Sequence, residues 1–169
     1  VHGFNNASAL TPHLHWRIYI TANNGDANYS QLSEVEYRAT AGGVDQANGG
    51  TATASSNHPN HPAFRGFNNS TAWAEYWATA TGLMTPSWLN YEFLAPVSVA
   101  EVSIIALDTP TDIPRAPKDF IIEYSDNGVD YSTFANYAGE TNWAVLEERL
   151  FVYTATVPSA VDVTQFDTE

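Results

Sequence analysis

The sequence predicts an all-β protein, an antiparallel β-sandwich or jelly roll, and three observations lead there. Short runs alternate in register, as Phe120, Ile122 and Tyr124 do against Ile121, Glu123 and Ser125, which is the period of two that a half-buried strand requires. Turn-forming clusters separate these runs, among them Asn23-Asn24-Gly25 and Asn127-Gly128, and Asn-Gly is the strongest short hairpin signal. Nine Tyr, eight Phe and five Trp in 169 residues supply the interior, since each aromatic ring can bury ~150–250 Å². Helical periodicity is nearly absent, and the length fits one domain with a real core.

The elements follow in order. Residues 1–14 lack periodicity and read as a lead-in or linker. Residues 15–21 (HWRIYIT) alternate Trp16, Ile18 and Ile20 against Arg17 and Tyr19, so they form a strand. Residues 31–38 (QLSEVEYR) form the next, before a loop over 41–50 too rich in glycine for regular structure. Further strands are expected at 88–93 (WLNYEF) and 97–106 (VSVAEVSIIA). Residues 117–137 make two strands around an Asp126-Asn127-Gly128 turn, and 148–153 (ERLFVY) closes the set. The domain therefore spans 15–153. Residues 154–169 start a new alternation at Val161 and Val163 and read as an extension into a following segment. A chain that starts at Val1 without Met is taken as an excerpt of a longer polypeptide.

Composition excludes several functions. With no Cys, thiolate catalysis and Cys-ligated metals are impossible. A formal net charge of −13 repels phosphate backbones and anionic lipid. The few cations (Arg17, Arg38, Arg65, Arg115, Lys118, Arg149) are scattered, so no basic patch offers a nucleic-acid footprint. No apolar run approaches the roughly 18 residues of a membrane span, so membrane insertion is not expected. A neutral ligand such as a glycan fits this balance.

Several side-chain groups could carry chemistry. The duplicated Asn57-His58-Pro59 and Asn60-His61-Pro62 could present two imidazoles to zinc, though solvated loop histidines are commoner. His13 and His15 fall on one strand face in the same sense. Glu34 and Glu36 share a face as a glycosidase pair would, but strand-surface acids are far commoner than catalytic ones. No Ser or His lies in a nucleophile motif, so no enzyme is expected. Asn6, Asn28, Asn68 and Asn69 head Asn-x-Ser/Thr sequons, which arise readily in Asn-rich loops. The best functional signal is aromatic. Trp73, Tyr76 and Trp77 crowd AWAEYW, and a sheet cannot bury all three on one side. At least one should face out, where a sugar's C–H face can stack on it while acids, amides and Arg bind the hydroxyls.

Ordered motifs carry a family resemblance. Ala52-Thr53-Ala54-Ser55-Ser56, the loop from Ala63 to Trp77, the segment Trp88-Leu89-Asn90-Tyr91-Glu92-Phe93 and the hairpin PKDFIIEYSDNG resemble successive motifs of the discoidin family, the galactose-binding-like coagulation-factor type C domain. The family's closing strands look like HWRIYI and LSEVEY, which here come first. That order implies a circular permutation, or else residues 15–38 end a preceding tandem copy. The permuted arrangement resembles domains of phage tail and virion-surface proteins.

The resemblance implies a non-catalytic binding module. It implies a structural calcium held by Glu34, Asn68 and Thr71; Arg65 stands where the family has Asp, and could instead replace the ion by pairing with Glu34. It implies a ligand site in the loops at one end: His58, Arg65, Asp108, with Trp73, Tyr76 or Trp143 as the stacking plane. Arg115 and Asp112 would serve hydroxyls, or merely pair with each other. The expected function is glycan recognition on an extracellular or virion surface, as part of a phage tail fibre or other appendage on host polysaccharide, within a larger assembly, homo-oligomeric or otherwise. The alternatives are a structural decoration domain without a small ligand, and the carbohydrate-binding module of a secreted glycoside hydrolase.

Overall fold

The computed structural model describes residues 10–154. Its strands run β1 (His13–Asn23), β2 (Gln31–Leu32), β3 (Glu34–Arg38), β4 (Thr51–Ala54), β5 (Trp77–Ala78), β6 (Ser87–Val97), β7 (Glu101–Ile105), β8 (Pro117–Ser125), β9 (Ser132–Tyr137) and β10 (Glu148–Val152). The alternation in β1 places it at the centre of a five-stranded sheet ordered β4-β6-β1-β8-β9, and a three-stranded sheet ordered β10-β7-β3 lies opposite. All pairings are antiparallel. Such a layered pair of antiparallel sheets is a β-sandwich, as the alternation requires. Only short 3₁₀ turns, Ala63–Phe67 and Ile113–Arg115, interrupt the strands. No helix among the described residues is long and apolar enough to cross a membrane.

The core forms where the two inner faces meet. Trp16, Ile18 and Ile20 of β1, Leu89 of β6 and Ile122 of β8 are fully buried from one sheet, and Val35, Tyr37, Val102 and Ile104 from the other. Trp16 lies 6.4 Å from Tyr37 across the gap, and Phe120 meets Phe151 edge to face at 5.4 Å. Burying each such side chain is worth roughly 1.5–3 kcal/mol. The Trp16 indole N–H donates to the Val97 carbonyl at 3.1 Å, so its polar handle is satisfied.

Where the structure departs from simple alternation, the reason is local. The expected strand 31–38 breaks at Ser33, whose amide donates to the Ile105 carbonyl at 3.1 Å. β2 pairs with β5 and β3 with β7, so this chain crosses between pairings while buried on both sides. The expected strand 97–106 divides likewise: Val97 ends β6, and β7 starts at Glu101. The turn at Asn127-Gly128 is no two-residue hairpin but a loop over 126–131, because Asn127 Oδ1 accepts the amides of Val129 and Asp130, both at 2.9 Å. His13 and His15 do not share a face. A register shift between them turns His13 to stack on Tyr124 at 3.8 Å, beside Asp126 at 3.1 Å, and leaves His15 on the outer face. β1 itself starts at His13, inside the segment expected to be a lead-in, and the expected alternation at Val161 and Val163 lies outside the described residues.

The Tyr37 hydroxyl is buried without a hydrogen-bond partner, at the centre of this interior. Leaving such a group unpaired costs about 1–3 kcal/mol. Tyr37→Phe keeps the ring and removes the penalty, so urea unfolding should show a gain of roughly 1 kcal/mol. A loss of similar size would mean that the hydroxyl has a partner.

Candidate functional site

The loops at one end of the sandwich draw most of the expected ligand residues together. The two Asn-His-Pro units dock on β5: the His58 amide donates to the Ala78 carbonyl at 2.8 Å, and the Ala78 amide to the His61 carbonyl at 3.2 Å. Backbone pairing of His58 with His61 then sets their rings 5.1 Å apart. His61 stacks on Tyr76 at 3.9 Å and 10° between planes, and Tyr29 meets His58 edge-on at 6.0 Å. The result is a row of four rings: Tyr29, His58, His61 and Tyr76.

This row is not built for zinc. His58 Nδ1 accepts the Asn60 amide at 3.2 Å, and His61 Nδ1 is buried without a partner. No group of three His, Cys, Asp or Glu side chains that could hold a metal occurs among the described residues. Burial, followed by the neighbouring His58, pushes the His61 imidazole below its ordinary pKa, so it is a neutral plane at neutral pH.

Charged groups frame the row. Arg115 donates from Nε to Asp26 at 3.0 Å, pairs through Nη1 with Asp112 at 2.6 Å, and donates from Nη1 to Gln31 at 3.2 Å. Its guanidinium also lies 5.0 Å from the Tyr29 ring centre. Burial opposes ionisation of Asp26, but the amides of Asn28 and Tyr29 together with Arg115 outweigh it and hold the carboxyl below its usual range. Burial raises the Tyr76 hydroxyl, and Asp112 adds to that; Arg115, Asp108 and Arg65 also act on it through their charges. Arg65 donates to the Ala74 carbonyl and lies 3.7 Å from Glu75. Beside it Trp73 is 82% exposed, at the tip of the segment.

His58, Arg65, Trp73, Tyr76, Asp108, Asp112 and Arg115 therefore share one region, but Trp143 cannot offer a stacking plane there. It is 5% exposed, its indole N–H donates to the Pro117 and Glu140 carbonyls, and Arg149 covers its ring at 4.0 Å. Trp77, adjacent to Tyr76, is fully buried against β2. Sequence reasoning missed Asp26, Tyr29 and Gln31, which sit some 90 positions from Arg115 and carry no local signal beyond a turn-forming Asp. It placed His61 only as a metal candidate, although a His beside an aromatic-rich segment could have signalled stacking.

Glu34 lies elsewhere, under the segment that follows Phe67. It is 1% exposed; Oε2 accepts the Ser70 amide at 3.2 Å, and Oε1 is buried without a partner. Asn68 Oδ1 accepts the same amide at 3.0 Å, and its Nδ2 donates to Glu75 at 2.7 Å. Arg65 engages Glu75 and not Glu34, so it does not stand in for a cation, because the turn at Ala74 draws it outward. A buried carboxylate with a bare oxygen and a convergent amide oxygen fit a hard cation such as calcium, with Thr71 exposed at the rim. Glu36, the partner expected for acid–base work, is held by Arg38 at 2.6 Å, whereas the Glu34 carboxylate turns to the Ser70 amide.

The F5/8 type C domain model matches residues 51–164. No curated protein and no solved structure matches this chain. The matched span omits β1, β2 and β3, although β1 is the middle strand of the larger sheet.

Burial, opposed by the Ser70 amide and reinforced by Asp45 and Glu36, pushes the Glu34 carboxyl up to about 8. A folded-state pKa above the unfolded one means that the folded chain holds the proton more tightly, so stability falls as pH rises between about 4.5 and 8. In calcium-free buffer, unfolding free energies measured from pH 5 to pH 8 should drop by up to roughly 4 kcal/mol. Glu34→Gln should flatten that slope; an equal slope in the variant would assign it to another group.

Proposed function

The chain belongs to the F5/8 type C domain family, whose members are in general non-catalytic binding modules, and from that premise we propose that it recognises glycan through its ringed loop end. The exposed Trp73 beside the stacked His61 and Tyr76 carries this reading. An aromatic face takes the C–H side of a sugar, while the acids and arginines around Tyr76 offer acceptors and donors to its hydroxyls. Arg115 already uses Nε and Nη1 within the protein, so its main part is to hold three loops in place. A net charge of −13 disfavours anionic ligands and leaves neutral or amino-sugar polysaccharide.

In this reading the module works on an extracellular or virion surface, as part of a phage tail fibre or comparable appendage that binds host polysaccharide. The order of its strands supports that setting: residues 13–38 precede the matched span yet contribute strands to both sheets, as a circular permutation like that of virion-surface domains would have them do. Glu34 and Asn68 would hold a structural calcium that fixes the segment leading to Trp73, and calcium would supply charge compensation there and no chemistry.

A glycan array followed by calorimetric titration tests the reading. Wild type should bind a neutral or amino-sugar glycan with little change in high salt, because stacking and hydrogen bonds are screened far less than ion pairs. Trp73→Ala should weaken binding by about fivefold or more, the equivalent of about 1 kcal/mol for one stacked ring. A wild type that binds no glycan would assign the domain to a structural role, in keeping with the ties of Arg115 to Asp26, Gln31 and Asp112.

A further inference from the structure

The outer face of the five-stranded sheet carries a second, separate constellation. Cross-strand register sets His15 opposite Glu92, Arg17 opposite Asn90 and Tyr19 opposite Trp88. These side chains point away from the core, yet His15 is only 9% exposed and Asn90 4%. The loop over 126–131 covers them. Its approach needs Gly128, at φ +70°, since a Cβ there would stand 3.0 Å from the His15 ring. Tyr131 lies flat on the Arg17 guanidinium at 3.6 Å, and its hydroxyl donates to Asn90 Oδ1 at 2.9 Å. Asn90 Nδ2 in turn donates to Thr53 at 3.1 Å, so the floor is fixed.

Between loop and sheet remains a cleft of about 290 Å³ lined by His15, Arg17, Trp88, Asn90, Glu92 and Tyr131, with Thr53, Gly128 and Val129 at its sides. Several retain unused capacity. Arg17 donates from Nε to Glu123 at 2.5 Å, but its two terminal nitrogens make no hydrogen bond among the described residues. Glu92 is exposed and its carboxylate has no partner among them. His15 is more than nine-tenths buried in the wall, and its Nδ1 has none. Trp88, half-buried at one end, provides an apolar plane. The volume falls at the small end of ligand pockets, roughly 300–1,000 Å³.

We propose that this cleft is a second saccharide site, holding one uncharged, hexose-sized ring with Trp88 against its C–H face and Arg17 and Glu92 on its hydroxyls. A free donor pair and a free carboxylate on neighbouring strands match the vicinal diol of a pyranose, each hydroxyl of which both donates and accepts. An anionic sugar is disfavoured, because Glu123 already neutralises Arg17 and Glu92 stands uncompensated. One ring held by few groups binds weakly by itself, in the millimolar range. Coupled to the loop end on one polymer chain, it would add avidity, although the site stands on its own residues and does not depend on glycan binding at the loops.

Chemical-shift titration of the isotope-labelled 169-residue chain with glucose, galactose, mannose and N-acetylglucosamine tests it. At least one sugar should shift the Trp88 indole N–H and the Asn90 side-chain amide together. Glu92→Ala, which removes an exposed and unpaired side chain, should weaken that binding at least fivefold, and Trp88→Ala should do the same. The Trp88 and Asn90 shifts should persist in Trp73→Ala, whose loop end is impaired. The proposal is overturned if no sugar of the four moves the two signals, if Glu92→Ala binds as wild type does, or if the shifts vanish in Trp73→Ala.

Discussion

Everything in this domain depends on the register of β1. It is the middle strand of the larger sheet, paired with β6 on one side and β8 on the other, so a shift would unseat it from two neighbours at once. Its even-numbered residues Trp16, Ile18 and Ile20 are fully buried, whereas Arg17 and His15 line the outer cleft. A slip of one residue would exchange these sets, exposing three large apolar side chains and burying an arginine. The apolar set therefore enforces the position of the polar one, and the outer cleft inherits its geometry from the core.

Charge is arranged with similar economy. In a chain with nineteen acids and six cations, three arginines each join acids that would otherwise repel. Arg38 holds Glu36, Glu101 and Glu148; Arg149 holds Glu140 and Glu147; Arg115 holds Asp26 and Asp112. Arg17 and Arg65 pair with Glu123 and Glu75. The planar guanidinium suits such multiple contacts better than a lysine ammonium. The scatter of cations along the sequence is thus the mark of ties between loops and strands, and it leaves a surface of negative sign on which a neutral ligand meets the least resistance.

The two proposed recognition surfaces differ in how they are made. The loop end is assembled from segments far apart in the chain and is kept together by Arg115 and by stacking of His61 on Tyr76. The outer cleft is a sheet face read across strands and covered by a loop that Asn127 shapes. Glu34 links core and loop: buried without full satisfaction, it keeps a charged or protonated oxygen under the segment that ends in Trp73.

The sequence by itself determined the strand class, most strand positions and the exposure of one ring in AWAEYW, because alternation and turn chemistry are local properties that neighbouring residues impose. The tertiary structure decided which partner each group received. Trp143 went under Arg149 and Arg65 to Glu75, the strand 31–38 was divided between two pairings, and His13 was turned away from His15 by a register shift. No local pattern encodes those outcomes, since each depends on which groups the fold brings together to compete for the same side chain. The outer cleft was illegible for the same reason: His15, Arg17, Asn90 and Tyr131 look like ordinary outward strand and loop residues until the fold puts the loop over the sheet.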